Sequence, residues 1–456
     1  MTQMSAFNFL TKRINIGIIL ISSLMMFVVL NLPFKAKPFG DETFHIEAKN
    51  MARYIKGDVG YDKVTITKAP GPILFYTIPY IIASSSATDN QLWVYATVFT
   101  FLIVTISLLL IFRIGSSFFS REVGLLAVLL FFVFPIHCYY SLGILAEVPA
   151  FFSLTVALYG WLIAFQNPNK IKGWVLLILG LWFLILNRPN TMLILGLGFL
   201  IIAYSLFRRK EFFKSYGKKL ALTFCTVGLL SFGVVQLAKV ITGTKSNESQ
   251  EGLFYYVAHQ GRFQFREEPT DFRYWESDIR PDSDDYQNWG KSVHKLNAIG
   301  IETHRSPTEV YRNFLINDAL EHPFWFTRQF FIKCFYGHVY FINSVKPEKF
   351  HLGPIHGTIG YWFVILLINC INIALIFGAL LFLFKEKNLI NYWPFWGVIL
   401  ALLIFHGLTY MEPRYMFPSR VALYLMSAAG LYRIKWFQNK VNFIAKFVFP
   451  NKIPTS

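Results

Sequence analysis

The chain has 456 residues, of which 54% are hydrophobic and 15% charged, against about 25% charged in soluble domains. This excludes an ordinary soluble enzyme and points to a polytopic membrane protein. A formal charge of +17 would suit nucleic acid, but several of the basic residues fall in short loops between apolar runs, where the positive-inside bias puts them, so no nucleic-acid partner is expected.

Lys12 and Arg13 precede an apolar run, Ile14 to Leu32, that is too long for a signal-peptide core and has no small-residue cleavage site. It reads as an anchor starting in the cytoplasm. The stretch FGDETFHIEAKNMARYIKGDVGYDKVTITKAP, from Phe39, follows on the other face. In it Phe44, Ala48, Met51, Ala52 and Ile55 recur at the spacing of an amphipathic helix lying along the membrane surface. The apolar piece 71–86 is interrupted by Pro72 and Pro79 and is short of the roughly 20 residues needed to cross. It is expected to be re-entrant or interfacial.

Spans near 92–112, 122–140, 145–165, 173–187, 190–207, 220–242, 357–384, 393–410 and 416–433 complete about ten crossings. They place Arg113 with Arg121, Lys170 with Lys172, the run from Arg208, Lys385 with Lys387 and the tail from Arg433 inside. Residues 243–355 hold over half of the acidic residues and read as an extracytoplasmic domain or long loop. Ser306, Pro307 and Glu309 there carry an N-cap, a first-turn proline and the capping-box spacing. Residues 324–344 carry Arg328, Lys333 and His338 and are expected to lie on the bilayer. No internal repeat is visible. Cys138, Cys225, Cys334 and Cys370 stand singly without metal or redox spacing and read as small core residues.

Under this topology Asp41, Glu42, Lys68, Glu147, Arg188, Glu412 and Arg414 fall at the same outer surface, although they come from five separated parts of the chain. Ionisable groups at membrane depth are costly unless paired or hydrated and mark functional cavities, whereas span ends are also simply wet. Asp41 suits an N-cap and Glu42 a first helical turn. An ionised carboxylate there can also accept a proton from an attacking hydroxyl. Asp41, His45 and Glu147 leave a divalent cation open as a cofactor. Lys68 reads as a point charge for a phosphate or as a snorkelling lysine. Arg188 and Arg414 suit bidentate phosphate contact, with Glu412 a rival partner for Arg414. Glu147 reads as an acceptor-orienting carboxylate or a plain first-turn acid. His406 and Arg420 read as internal hydrogen-bonding residues.

Four motifs, GDETFH, KAPGPILFY, AEVPAFFSLTVALY and EPRYMFPSRVALYL, resemble the GT-C superfamily of membrane glycosyltransferases, in particular the branch of protein O-mannosyltransferases and lipid A aminoarabinose transferases. The resemblance implies a first-loop aspartate, here Asp41, acting as base on the acceptor. It also implies basic residues, here Lys68, Arg188 and Arg414, holding the phosphate of a polyprenyl-phosphate sugar. The chain departs from that pattern at Glu147, more often aspartate, and at Lys68-Ala69-Pro70, usually Lys-Pro-Pro.

The expected protein is therefore an all-α, GT-C-like membrane protein in the inner or plasma membrane with its active site on the extracytoplasmic face. Its expected modules are a transmembrane catalytic module 1–242 with a first outer loop 35–70, the outer region 243–355, and C-terminal helices with a basic tail 356–456. The expected activity is inverting transfer of a sugar from a polyprenyl-phosphate carrier to a hydroxyl of a glycan, lipid or protein acceptor. A lipid-linked-sugar flippase or transporter and a surface-polysaccharide polymerase or ligase are the alternatives.

Overall fold

A chain in lipid must satisfy its backbone polar groups within itself, and an apolar segment does so alone only as a helix. In a computed structural model, residues 15–24, 41–58, 69–133, 143–242, 248–264, 284–338, 351–352, 355–411 and 413–448 are described, and they are almost entirely helical. The exception is a short antiparallel pair that joins His351–Leu352 to Ile355–His356. The chain is an all-α polytopic membrane protein.

In order, the helices are α1 (Asn15–Leu24), α2 (Glu42–Lys56), α3 (Pro70–Ile82), α4 (Asp89–Phe118), α5 (Arg121–Val133), α6 (Glu147–Gln166), α7 (Ile171–Asn187), α8 (Leu193–Arg208) and α9 (Lys218–Thr242). They continue with α10 (Glu248–Phe263), α11 (Asp284–Thr303), α12 (Pro307–Glu321), α13 (Pro323–Tyr336), α14 (Gly357–Lys385), α15 (Trp393–Leu408), α16 (Arg420–Leu431) and α17 (Lys435–Val448). Among the described residues, six stretches are long and apolar enough to cross a membrane: Asp89–Phe118, Glu147–Gln166, Pro189–Arg208, Lys210–Val234, Gly357–Lys385 and Leu389–Leu408. Helices α1, α3, α7 and α16 are apolar but shorter. Part of the expected 122–140 span lies outside the described residues.

The chain divides into two compact units. The first comprises Met1–Gly243, Leu375–Ile399 and Pro418–Ser456. At its heart α6 and α7 form a hairpin in which Gly160, Gly173 and Gly180 let the backbones approach closely, the usual use of small residues between membrane helices. Alongside, α2 buries Phe44, Ala48 and Ala52 against Ile73, Tyr76 and Tyr80 of α3, so the expected amphipathic face is real. It differs at two positions, because Ile55 is exposed and Glu47 is buried. The α2 C-terminus closes on Gly57, whose φ of +75° sends its N–H back to Arg53 and Tyr54, a left-handed cap that glycine adopts without steric cost.

The second unit comprises Thr244–Ala374 and Leu400–Phe417. Leu296 of α11 packs with Val310 and Tyr311 of α12, with Tyr255 and Tyr256 of α10 against them. The Ser306 hydroxyl accepts from Glu309 N–H at 3.3 Å, the N-cap read from the sequence. Two expectations change. Lys333 of α13 is buried, not at a bilayer surface, and donates to the Thr409 carbonyl at 2.6 Å. Cys225 and Cys370 are exposed, not core, because their helices turn those faces away from the protein.

Candidate functional site

Asp41 is the extended N-cap residue of α2, and its Oδ1 accepts from Thr43 N–H at 3.1 Å, capping the helix. Its own N–H donates to the Ile144 carbonyl at 3.0 Å. Two stretches far apart in sequence thus meet backbone to backbone, three residues before α6 begins with Glu147. Tyr76, fully buried on α3, braces the same stretch from beneath. Its hydroxyl lies 3.1 Å from the Gly143 carbonyl and 2.9 Å from that of Leu145, and accepts from Leu145 N–H at 3.0 Å.

Glu147 stands in the first turn of α6, 2% exposed, and is ion-paired with Arg188. Arg188 is the residue on which α7 ends before the turn Pro189–Met192, and its backbone N–H returns to the Leu184 carbonyl at 2.8 Å. The N-terminus of α3 reaches the same point. A Cβ on Gly71 would lie 2.6 Å from the Asn187 nitrogen, so only glycine lets α3 approach the backbone next to Arg188. The beginnings of α2, α3 and α6 and the end of α7 therefore form a closed ring of contacts. Three of these four helix ends are N-termini, whose unpaired N–H groups and dipoles favour negative charge.

The other predicted residues fall as follows. Glu42 is exposed in the first turn of α2. His45 turns toward α3 and α4: Nδ1 lies 2.8 Å from the Tyr80 hydroxyl and Nε2 3.4 Å from Asp89, which Lys49 also meets at 2.6 Å. Burial holds the imidazole below its ordinary pKa, with Asp89 pulling the other way. Among the described residues, no group of three or more His, Cys, Asp or Glu side chains could hold a metal. Lys68 and Glu412 lie outside the described residues, although the turn following Lys68 leads directly into α3. Arg414 stands on a short 3-10 turn, Pro413–Met416, in the second unit.

The approach to that turn is heavily constrained. Gln264 takes both backbone groups of Met411, donating to its carbonyl at 2.8 Å and accepting its N–H at 3.1 Å. Gln329 donates to the Arg262 and Gln264 carbonyls at 2.9 and 2.8 Å, and Arg262 pairs with Asp318 and donates to Gln329 at 2.6 Å. His406 is internal, with Nδ1 3.0 Å from the Tyr410 carbonyl and its ring stacked on Tyr415.

Residues 72–234 match the family model of dolichyl-phosphate-mannose-protein mannosyltransferases. The match supports membership of the GT-C superfamily. It runs from α3 into α9 and contains Glu147 and Arg188, while Asp41 precedes it. The match, which covers residues 72–234, supports a multi-pass membrane glycosyltransferase of GT-C type. No curated protein gives a significant match to the chain.

Sequence reasoning passed over Tyr76, Glu47 and the Gln264–Gln329 network. Glu47 had a readable signal, since it shares the helical face of Phe44, Ala48 and Met51 and so had to be buried among them. Tyr76 had none, because one aromatic in an apolar run looks like any other.

Proposed function

We propose that the protein transfers a sugar, with inversion, from a polyprenyl-phosphate carrier to a hydroxyl of a cell-envelope glycan, lipid or protein acceptor on the extracytoplasmic face. The observation that supports this reading is the backbone bond from Asp41 to Ile144, three residues in sequence before Glu147, the ion-pair partner of Arg188, in a chain whose residues 72–234 match the mannosyltransferase family. The donor is already activated, because its leaving group is a phosphate ester, so the protein must supply a base, positive charge and access for the lipid.

In this reading the Asp41 carboxylate takes the proton of the acceptor hydroxyl as its oxygen attacks the anomeric carbon. The bond from that carbon to the phosphate oxygen breaks, and the polyprenyl phosphate leaves with the electron pair. Arg188 and Lys68 meet the growing phosphate charge together with the helix N-termini. Glu147 fixes the Arg188 guanidinium and orients the acceptor, and Glu42 supports the field at the start of α2. Residues 243–355 serve as an extracytoplasmic region, with 356–456 supplying C-terminal helices and the basic tail.

The test is mass spectrometry of cell-envelope glycans together with transfer in membrane vesicles, for the wild type and Asp41→Asn. Asparagine caps a helix about as well as aspartate, so the variant should fold normally, lose transfer by about 10²–10⁴-fold and leave one sugar missing from the envelope. Unchanged product from a folded Asp41→Asn would overturn the assignment.

A further inference from the structure

Helix α17 lies beyond the last apolar helix and belongs to no part of the ring of helix ends. It presents three sectors at about 100° per residue. Val441 and Ala445 are buried toward the protein, where α17 packs on α5, and the Tyr432 hydroxyl donates to Asn442 at 3.0 Å to fix the helix after the turn. A second sector carries Lys435, Asn439 and Asn442. The third carries Trp436, Phe443 and Ile444, which are 61%, 63% and 41% exposed. Lys440 lies within this apolar sector, with a stem long enough to carry its ammonium out to headgroup level.

Charge gives the apolar sector its partner. From Pro413 to the last residue the chain has no Asp or Glu, while Arg433, Lys435, Lys440, Lys446 and Lys452 follow α16. Arg433 is engaged with Glu386 at 2.9 Å, but Lys435 and Lys440 are exposed beside the aromatic sector. Aromatic and aliphatic side chains flanked by lysines, on a helix already held along one face, match the boundary between headgroups and acyl chains.

We infer that α17 is an in-plane anchor that binds an anionic lipid surface, inserting Trp436, Phe443 and Ile444 below the headgroups while Lys435 and Lys440 meet lipid phosphates. The positive-inside bias places that surface at the cytoplasmic leaflet. This inference does not depend on the transferase reading.

The experiment uses the full chain, with its four cysteines replaced, in nanodiscs of phosphatidylcholine with or without phosphatidylglycerol. Spin labels at Ile444→Cys and Asn439→Cys report oxygen and nickel-chelate accessibility. The expected result is an Ile444 label open to oxygen and shielded from nickel, an Asn439 label open to nickel, and loss of the Ile444 shielding in Lys435→Glu/Lys440→Glu or when phosphatidylglycerol is omitted. Equal nickel accessibility at both positions overturns the inference. So does shielding indifferent to anionic lipid, which leaves apolar insertion alone, and so does dipolar broadening between labels, which shows a second copy covering the helix.

Discussion

Glu147 and Arg188, 41 residues apart in sequence, meet as an ion pair with side chains 2% and 15% exposed. The sequence assigned them separate roles, one toward the acceptor and one toward the phosphate, and the pairing joins these roles. An arginine anchored by a carboxylate is held in one orientation. Removing one partner strands the other in a poorly hydrated place, at a cost of about 3–5 kcal/mol, whereas replacing both by apolar groups of similar volume costs far less. Thermal unfolding in detergent should therefore show Glu147→Leu and Arg188→Met each strongly destabilised and the double variant partly restored. Additive losses in that double-mutant cycle would show that the two side chains do not act on each other.

The backbone around this pair was legible where local chemistry decided it. Asp41 before a periodic helix and the Ser306 cap stand as the sequence reads. Long-range pairing was not legible, because nothing in the spacing of Ile144 announces that its carbonyl accepts from Asp41. Lys333 misled for a physical reason. A lysine in an aromatic amphipathic segment suggests a headgroup contact, but its ammonium is spent on the Thr409 carbonyl inside the second unit. The family match spans residues 72–234, so the role proposed for Asp41 rests on its geometry and on its own motif.

Gln264 controls the backbone that leads into the turn carrying Arg414. Its amide satisfies both the N–H and the carbonyl of Met411 in a buried place, and each buried group left unmade costs about 1–3 kcal/mol. Gln264→Leu should lower stability by about 2–6 kcal/mol, and Gln264→Glu, which keeps an acceptor for the N–H but loses the donor, should fall between. Equal unfolding temperatures for Gln264→Leu and the wild type would remove this role.

His259 makes the second unit sensitive to acid. Its ring is buried among Phe263, Tyr311 and Phe314, with Nε2 2.9 Å from the Ser292 hydroxyl, and burial lowers its pKa to about 4 despite the carboxylate of Asp318. Unfolded, it titrates near 6.5, so between those values the unfolded chain binds more protons and stability rises with pH. Acidification from pH 7 to 5 should cost about 2 kcal/mol through this group, reaching about 3 near pH 4. Thermal unfolding of His259→Gln, set against the wild type across that range, should show the flatter pH profile. Parallel profiles would assign the acid sensitivity elsewhere.

Gly71 tests the ring of helix ends through sterics alone. A methyl group there meets the Asn187 nitrogen and the Leu186 carbonyl carbon at 2.6 Å, both backbone atoms that cannot rotate away. Either α3 or the end of α7 must shift, which costs about 1–3 kcal/mol for an overpacked contact and moves the residue next to Arg188. Gly196 in α8 supplies the opposite sign, since an added Cβ meets nothing within 4 Å, and alanine in a helix interior gains about 0.5–1 kcal/mol over glycine. Thermal unfolding should therefore fall for Gly71→Ala and rise for Gly196→Ala. Transfer activity should drop for the first variant and hold for the second. A Gly71→Ala protein as stable and as active as the wild type would mean that the close approach of α3 to Asn187 does not shape the site.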